Sequence, residues 1–363
     1  MAAKLYELCN YWKNWLYSKQ PARHSQNLPM KWKNRSNIFI GLTITVFCVW
    51  LAFRKVPFTE LSDVISGGNY YWIIPAAVTQ LLAILVRSQR WVVLLDRNNA
   101  LTDSIWSQGI GYLFTNLFPF RLGEVARVLV MSEKCKLPVV QVAGSAIVER
   151  LLDVGTMILA LVLILPWIQV PSAIIKSGQI FGTLVILGIL IIILLARFKE
   201  TSFSLINRVC IKFPFLPKTI IMARWGELLE GLTPLLRGVV SIRVVGLSIV
   251  SWLFSGVVFF CAIKTFQPMG NFVEAVFMMA SLSFAVIVPS SPGFIGVFQF
   301  IGQQALIIPF GVKYSSSNAL AIALIAHFVY YIISTLVGII GLWRVGQSFA
   351  GIKQLLSRKN TPA

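Results

Sequence analysis

Over residues 179–196 the chain reads QIFGTLVILGILIIILLA, with no charged side chain. A run of this kind constrains the fold more than any motif. About 20 apolar residues are what a helix needs to cross the hydrocarbon core of a bilayer. In lipid, a helix also pairs its own backbone polar groups. Apolar stretches recur over 37–53, 70–95, 139–165, 244–266 and 318–343. Only 12% of the residues are charged and 57% are hydrophobic, whereas globular domains carry about 25% charge. The sequence therefore predicts an all-α polytopic membrane protein.

The formal net charge is +19, which raises the question of nucleic acid. The basic residues lie in tails and short loops, where they set topology and attract anionic headgroups. No helix-turn-helix, zinc-finger or RNP-like pattern accompanies them, so nucleic acid is not expected as a partner. The five cysteines, Cys9, Cys48, Cys135, Cys210 and Cys261, form no C-x-x-C pair. The pattern points to free thiols rather than a disulfide framework or a metal site. No cofactor, catalytic residue or metal-ligand set is assigned. Residues 5–17, LYELCNYWKNWLY, lack the apolar stretch of a signal peptide and read as an interfacial helix in a tail covering 1–36.

Two further apolar stretches are broken. One, 105–131, is interrupted at Pro119 and Gly123; the other, 272–309, is interrupted by VPSSPGFIG at 288–296. If both are re-entrant hairpins, about six helices span fully and both termini lie in the cytoplasm. Only Arg54, Lys55, Lys176, Lys264 and Lys313, five of 32 basic residues, then face outward. The expected location is the inner (plasma) membrane. The transmembrane domain covers 37–343, a cytoplasmic amphipathic loop 197–243, and a basic tail 344–363. Under this topology, the triplet of span, hairpin and span over 70–165 recurs upside down over 244–343. Pro119-x-x-x-Gly123 and Pro289-x-x-x-Gly293 are offset by 170, and the span starts by 174 to 179. Inverted repeats with broken segments at matching positions point to a transport site near the midplane.

Six ionisable residues crowd the first triplet: Arg121, Glu124, Arg127, Glu149, Arg150 and Asp153. Such groups are costly in a membrane and face a cavity or a partner. Helical spacing puts Arg121, Glu124 and Arg127 on one stripe. Glu149 and Asp153 share a face and repel unless a cation lies near. Arg150 points about 100° away and is not expected to serve both. Arg121 or Arg127 is the expected partner. The cluster reads in two ways: as buried ion pairs that pin hairpin to span, or as a partly open pocket whose arginines bind an anionic headgroup. Gly123 is expected to open the returning half-helix, whose free N–H groups favour an anion. The second hairpin offers Ser290, Ser291 and Gln299 but no charge, and His327 lies mid-span.

Three segments in order, NLFPFRLGEVAR (116–127), VERLLDV (148–154) and PSSPGFIGV (289–297), resemble the lysylphosphatidylglycerol synthase transmembrane region, or flippase-like domain, family. The resemblance implies an integral membrane protein that handles lipids. It carries over Arg121, Gly123, Glu124, Arg127, Glu149, Arg150 and Asp153, together with Pro292 and Gly293. Family members often place an acidic residue where this chain has Gln299. The bifunctional synthases carry a soluble aminoacyl-transferase domain after the membrane part; this chain ends about twenty residues past its last span, so lysyl-lipid synthesis is not expected of it. The leading expectation is a flippase or scramblase for an anionic phospholipid or isoprenoid-type lipid. The alternatives are a membrane-embedded headgroup enzyme using Glu124, Glu149 or Asp153, a secondary transporter of a small solute, and a structural partner of a separate lipid-modifying enzyme. Gly178, Gly182 and Gly188 are placed for helix contacts within the chain or in a homo-oligomer.

Overall fold

The computed structural model describes residues 35–118, 121–168, 172–213, 217–285 and 292–346. The described residues form α-helices joined by short turns, with no strand among them. We number the helices α1 (Arg35–Phe53), α2 (Phe58–Ser66), α3 (Ile73–Leu94), α4 (Leu101–Leu117), α5 (Leu122–Cys135), α6 (Val139–Ile164) and α7 (Ser172–Arg197). There follow α8 (Lys199–Lys212), α9 (Lys218–Leu232), α10 (Gly238–Phe266), α11 (Phe272–Ala285), α12 (Val297–Phe310) and α13 (Ser316–Val345).

Among the described residues, five stretches are long and apolar enough to cross a bilayer: Tyr70–Leu94, Gly178–Arg197, Gly238–Phe266, Pro292–Phe310 and Ser316–Val345. This set differs from the six spans expected. Helix α6 is 26 residues long, but Glu149, Arg150 and Asp153 keep it from qualifying by composition. Pro292–Phe310 qualifies only by including Gly293, whose left-handed φ of 64° breaks the helix. The interfacial helix expected at 5–17, and Pro119, Pro289, Ser290 and Ser291, lie outside the described residues.

Helix α3 packs along α10, and α4 along α13. The second crossing is close because it is built on small residues. A methyl group at Gly109 would press on the Val337 carbonyl, and one at Gly341 would lie 2.9 Å from the Trp106 oxygen. Helices α4 and α5 pack together as a hairpin, as do α11 and α12. The two tips meet. Gly293 lies against the Asn116 carbonyl and the Tyr331 ring, and Asn116 Nδ2 donates to Ser334 Oγ (3.1 Å) and Thr335 Oγ1 (2.9 Å) on α13. Helix α1 closes against α12, where Gln303 Nε2 donates to the Ala52 carbonyl at 3.2 Å.

The loop expected to lie on the membrane surface is more firmly docked than its sequence suggests. Helix α9 packs on α6 with Leu229, Gly231 and Leu232 buried. Trp225 Nε1 donates to Ser202 Oγ of α8 at 2.8 Å.

The start of α11 is clasped to the α12–α13 turn. Glu274, 2% exposed, pairs with Lys313 Nζ at 2.7 Å and accepts from the Tyr314 hydroxyl. It also accepts from the Asn271 backbone N–H, while the Asn271 side chain accepts from the Glu274 N–H, so the helix start is capped reciprocally. Glu274→Ala strips a charged acceptor from three donors. We expect a loss of about 2–3 kcal/mol, read as a lower melting temperature of the purified protein in detergent. Ser315→Ala, which removes only the α13 N-cap bond to Asn318, is expected to cost about 1 kcal/mol.

Candidate functional site

The charged residues of α3, α5 and α6 close into a ring. Arg90 pairs with Glu149 at 3.0 Å and with Asp153 at 2.7 Å. Arg127 pairs with Glu149 at 3.0 Å and with Glu124 at 2.7 Å. Arg150 pairs with Glu124 at 2.8 Å and with Asp153 at 3.4 Å. Three guanidiniums and three carboxylates thus alternate, and each touches two of opposite sign. A planar fork with several donors is what lets one arginine bridge two carboxylates.

The ring is unevenly buried. The Arg90, Arg127 and Glu149 side chains are 0%, 2% and 1% exposed, whereas those of Arg150 and Glu124 are 45% and 36% exposed. The inner arc carries further partners. Arg90 Nη1 donates to Ser248 Oγ (2.9 Å), Arg127 Nη1 to Gln108 Oε1 (3.0 Å), and Trp252 Nε1 to Asp153 Oδ1 (3.0 Å). Arg127 also lies over the Trp91 ring, 4.9 Å from its centroid. Helices α3, α4, α5, α6 and α10 are thereby tied at one point. Charges this deep persist only when paired and hydrogen-bonded.

A cavity of about 200 Å³ lies against the ring. Its polar wall includes Arg87, Tyr112, Arg121 and Ser255 beside the ring members Glu124, Glu149, Arg150 and Asp153. Its apolar wall includes Met157, Phe259, Met279 and Leu282, and Phe294 and Phe298 come from the second hairpin. The arrangement suits a molecule with a charged end and a hydrocarbon end.

Several expectations are revised by this geometry. Arg127 does pair with Glu149, but Asp153 is held mainly by Arg90, a residue within the 70–95 apolar run. Arg150, as expected, does not serve both Glu149 and Asp153; it pairs with Asp153 and with Glu124 of α5. Arg121 does not continue the α5 stripe: its φ of 53° is left-handed and it stands before the helix. Leu122, not Gly123, begins α5. Gly123 instead allows close approach, since a Cβ there would overlap the Gly111 carbonyl oxygen and the Thr115 hydroxyl of α4.

Pro292, Gly293 and Gln299 are placed apart from the ring, in the turn and first residues of α12. Gln299 Oε1 accepts from the Gly296 N–H at 2.7 Å, and its Nε2 meets His327 Nδ1 at 2.8 Å. His327 Nε2 lies 2.8 Å from the Gly293 carbonyl oxygen. An amide oxygen taken by a backbone N–H leaves the Gln299 nitrogen as donor. Nδ1 therefore accepts and Nε2–H donates, which describes a neutral imidazole. Its ring stacks on Phe298 at 4.4 Å. His327 thus fastens the second hairpin to α13.

Arg87 and Arg90 were the site residues that sequence reasoning missed. Their signal was present: two arginines within the 70–95 apolar run, a turn apart, flanked by Trp91.

Fold and site together define a polytopic helical membrane protein with a charged ring that ties α3, α5 and α6 beside a cavity. The chain matches the lysylphosphatidylglycerol synthase TM region over residues 38–338 and belongs to that family. No curated protein and no solved structure matches it.

Proposed function

We propose that the chain is a lipid translocator, a flippase or scramblase that carries a phospholipid or isoprenoid-type lipid with an anionic headgroup between leaflets. The observation that carries this reading is the amphipathic cavity between the two hairpins. Its polar wall is charged and its apolar wall is hydrocarbon. Five guanidiniums, counting Arg90 and Arg127 behind the wall, stand against three carboxylates. That excess favours an anionic headgroup.

The helix lengths support re-entrant segments. Helices α5, α11 and α12 are 14 residues each, about 21 Å of rise, against a hydrocarbon core of about 30 Å. Helix pairing supports an inverted repeat of α3–α6 on α10–α13. Exchanging α3 with α10, α4 with α11, α5 with α12 and α6 with α13 turns the α4–α13 contact into α11–α6. The same exchange turns α3–α13 into α10–α6, and α10–α13 into α3–α6, and all of these pairs pack. Glu124 and Gln299 are each the third residue of their helices, behind left-handed Arg121 and Gly296. In this reading α1, α3, α6, α7, α10 and α13 span, both termini are cytoplasmic, and the host is the plasma (inner) membrane. The lipid is the partner, and no covalent step is assigned to the chain.

The test is leaflet exchange. Headgroup-labelled lipids in proteoliposomes, exposed to a membrane-impermeant quencher, are expected to exchange faster than in protein-free vesicles. Anionic lipids are expected to exchange faster than zwitterionic ones. Arg121→Ala, at the cavity wall, is expected to slow exchange at least tenfold in protein that remains folded at the assay temperature. Wild-type exchange no faster than in empty vesicles, with or without an imposed proton gradient, refutes the reading.

A further inference from the structure

Three of the five guanidiniums at the site are committed to the ring. Arg87 is different. It is 8% exposed, lines the cavity, and forms no ion pair among the described residues. Asp153, one of the ring carboxylates beside it on the cavity wall, is already held by Arg90 and Arg150. Arg87 donates to the Tyr112 hydroxyl at 3.3 Å and to Ser255 Oγ at 2.9 Å, and lies 4.8 Å from the centroid of the Trp252 ring. Its Nε has no hydrogen-bond partner among the described residues, and neither has Nε2 of Gln80, 2% exposed and two turns earlier on α3. Both line the same cavity.

A buried guanidinium without a carboxylate is costly, and so is a buried N–H without an acceptor. Here both costs fall on residues that line one cavity; an oxyanion there offsets the charge and, after a small rotation of either side chain, accepts from the unpaired N–H groups. Tyr112 adds a third donor, because its oxygen accepts from Arg87 and its own hydrogen is left to give. Ser255 is used differently: it accepts from Arg87 and donates to the Ser251 carbonyl.

We propose that Arg87, Gln80 and Tyr112 form a subsite for a phosphate group, separate from the Arg90–Arg127–Arg150 ring. The subsite deepens the translocator reading and rests on it for the identity of the phosphate as a headgroup. It assigns the ring a fixed role, holding α3, α5 and α6 in register, and gives the headgroup phosphate to α3. The planar fork of Arg87 suits two phosphate oxygens, and the Trp252 ring, 4.8 Å from it, holds the guanidinium by a cation–π contact.

Binding tests this without transport. The full chain in detergent is titrated with dihexanoyl phosphatidylglycerol, with inorganic phosphate, and with dihexanoylglycerol, which lacks the phosphate. Tryptophan emission is followed, and the signal is assigned to Trp252 by its loss in Trp252→Phe. The phospholipid is expected to saturate the signal and dihexanoylglycerol to leave it unchanged. Arg87→Gln is expected to raise the apparent Kd for the phospholipid at least tenfold, and Arg87→Lys by less. Arg87→Gln also loses bonds to Tyr112 and Ser255, so binding is compared at a temperature where each variant is folded, and Arg87→Lys, which keeps the charge, separates loss of the anion site from loss of packing. Phosphate binding as tight as the phospholipid's identifies a free-ion source; much weaker phosphate binding identifies the lipid headgroup. The proposal is overturned if Arg87→Gln binds as wild type does, or if neither phosphate probe binds wild type. It is also overturned if dihexanoylglycerol binds equally well. Arg87-dependent binding with no leaflet exchange would refute translocation and leave the subsite standing.

Discussion

Glu149→Gln is expected to cost about 3–5 kcal/mol, the loss typical when one partner of a buried ion pair is removed. Glu149 is 1% exposed and sits between Arg90 and Arg127, which are equally buried. Without it each arginine keeps one carboxylate, and the inner arc carries an uncompensated positive charge. Glu124→Gln removes the same charge from the outer arc, where 36% of the side chain is exposed. Water replaces much of what is lost there, and the cost falls to about 1 kcal/mol. Thermal denaturation of the two purified variants checks the difference. Pairing Glu149→Gln with Arg127→Gln is expected to recover about 1–3 kcal/mol, because the pair is coupled through direct contact. Equal losses for Glu149→Gln and Glu124→Gln would mean the ring is not closed as described.

The second large effect is at Gly123. Alanine in a helix interior ordinarily gains up to about 1 kcal/mol over glycine. At Gly123 the sign reverses. The new methyl overlaps the Gly111 carbonyl and the Thr115 hydroxyl and lies 2.8 Å from the Thr115 backbone nitrogen. Backbone cannot rotate away as a side chain can, so α4 and α5 must part, at about 3 kcal/mol or more. Arg121, Glu124 and Arg127 ride on the displaced segment, so Gly123→Ala is expected to lose both melting temperature and leaflet exchange. Gly188→Ala is the control, since nothing lies within 4 Å of its added methyl, and it is expected to be neutral or mildly stabilising. A Gly123→Ala protein that melts and exchanges like wild type would show that the hairpin is not tightly closed there.

What could be read from the sequence follows the physics of each signal. The membrane class was legible because apolar length is a one-dimensional property. The breaks near Pro119 and Pro289 were legible because proline and glycine punctuate helices locally. Pairing was legible where helical spacing dictates it, as for Glu124 with Arg127, and where two carboxylates on one face call for a cation, as for Glu149 with Arg127. The Arg90–Glu149 bond joins residues far apart in sequence on two helices, and only packing decides it. The Arg150–Glu124 bond likewise joins two helices, and it too required the fold. Gly123 was read as a helix start although its role is to admit α4, a neighbour that local sequence does not name. Gln299 and His327 stood out as polar residues in apolar runs, yet their bond to one another required the fold.

The central claim is that a headgroup passes through the cavity beside the ring. The most direct measurement is to plug it. Val154, on the cavity wall from α6, is replaced by cysteine in a chain whose native cysteines have been changed to alanine. Leaflet exchange is then measured in proteoliposomes of the same preparation before and after reaction with a bulky maleimide. The account predicts that exchange of anionic lipid falls to the protein-free rate on modification. Exchange that continues undiminished with Val154→Cys fully alkylated would contradict it and place the lipid path elsewhere on the protein.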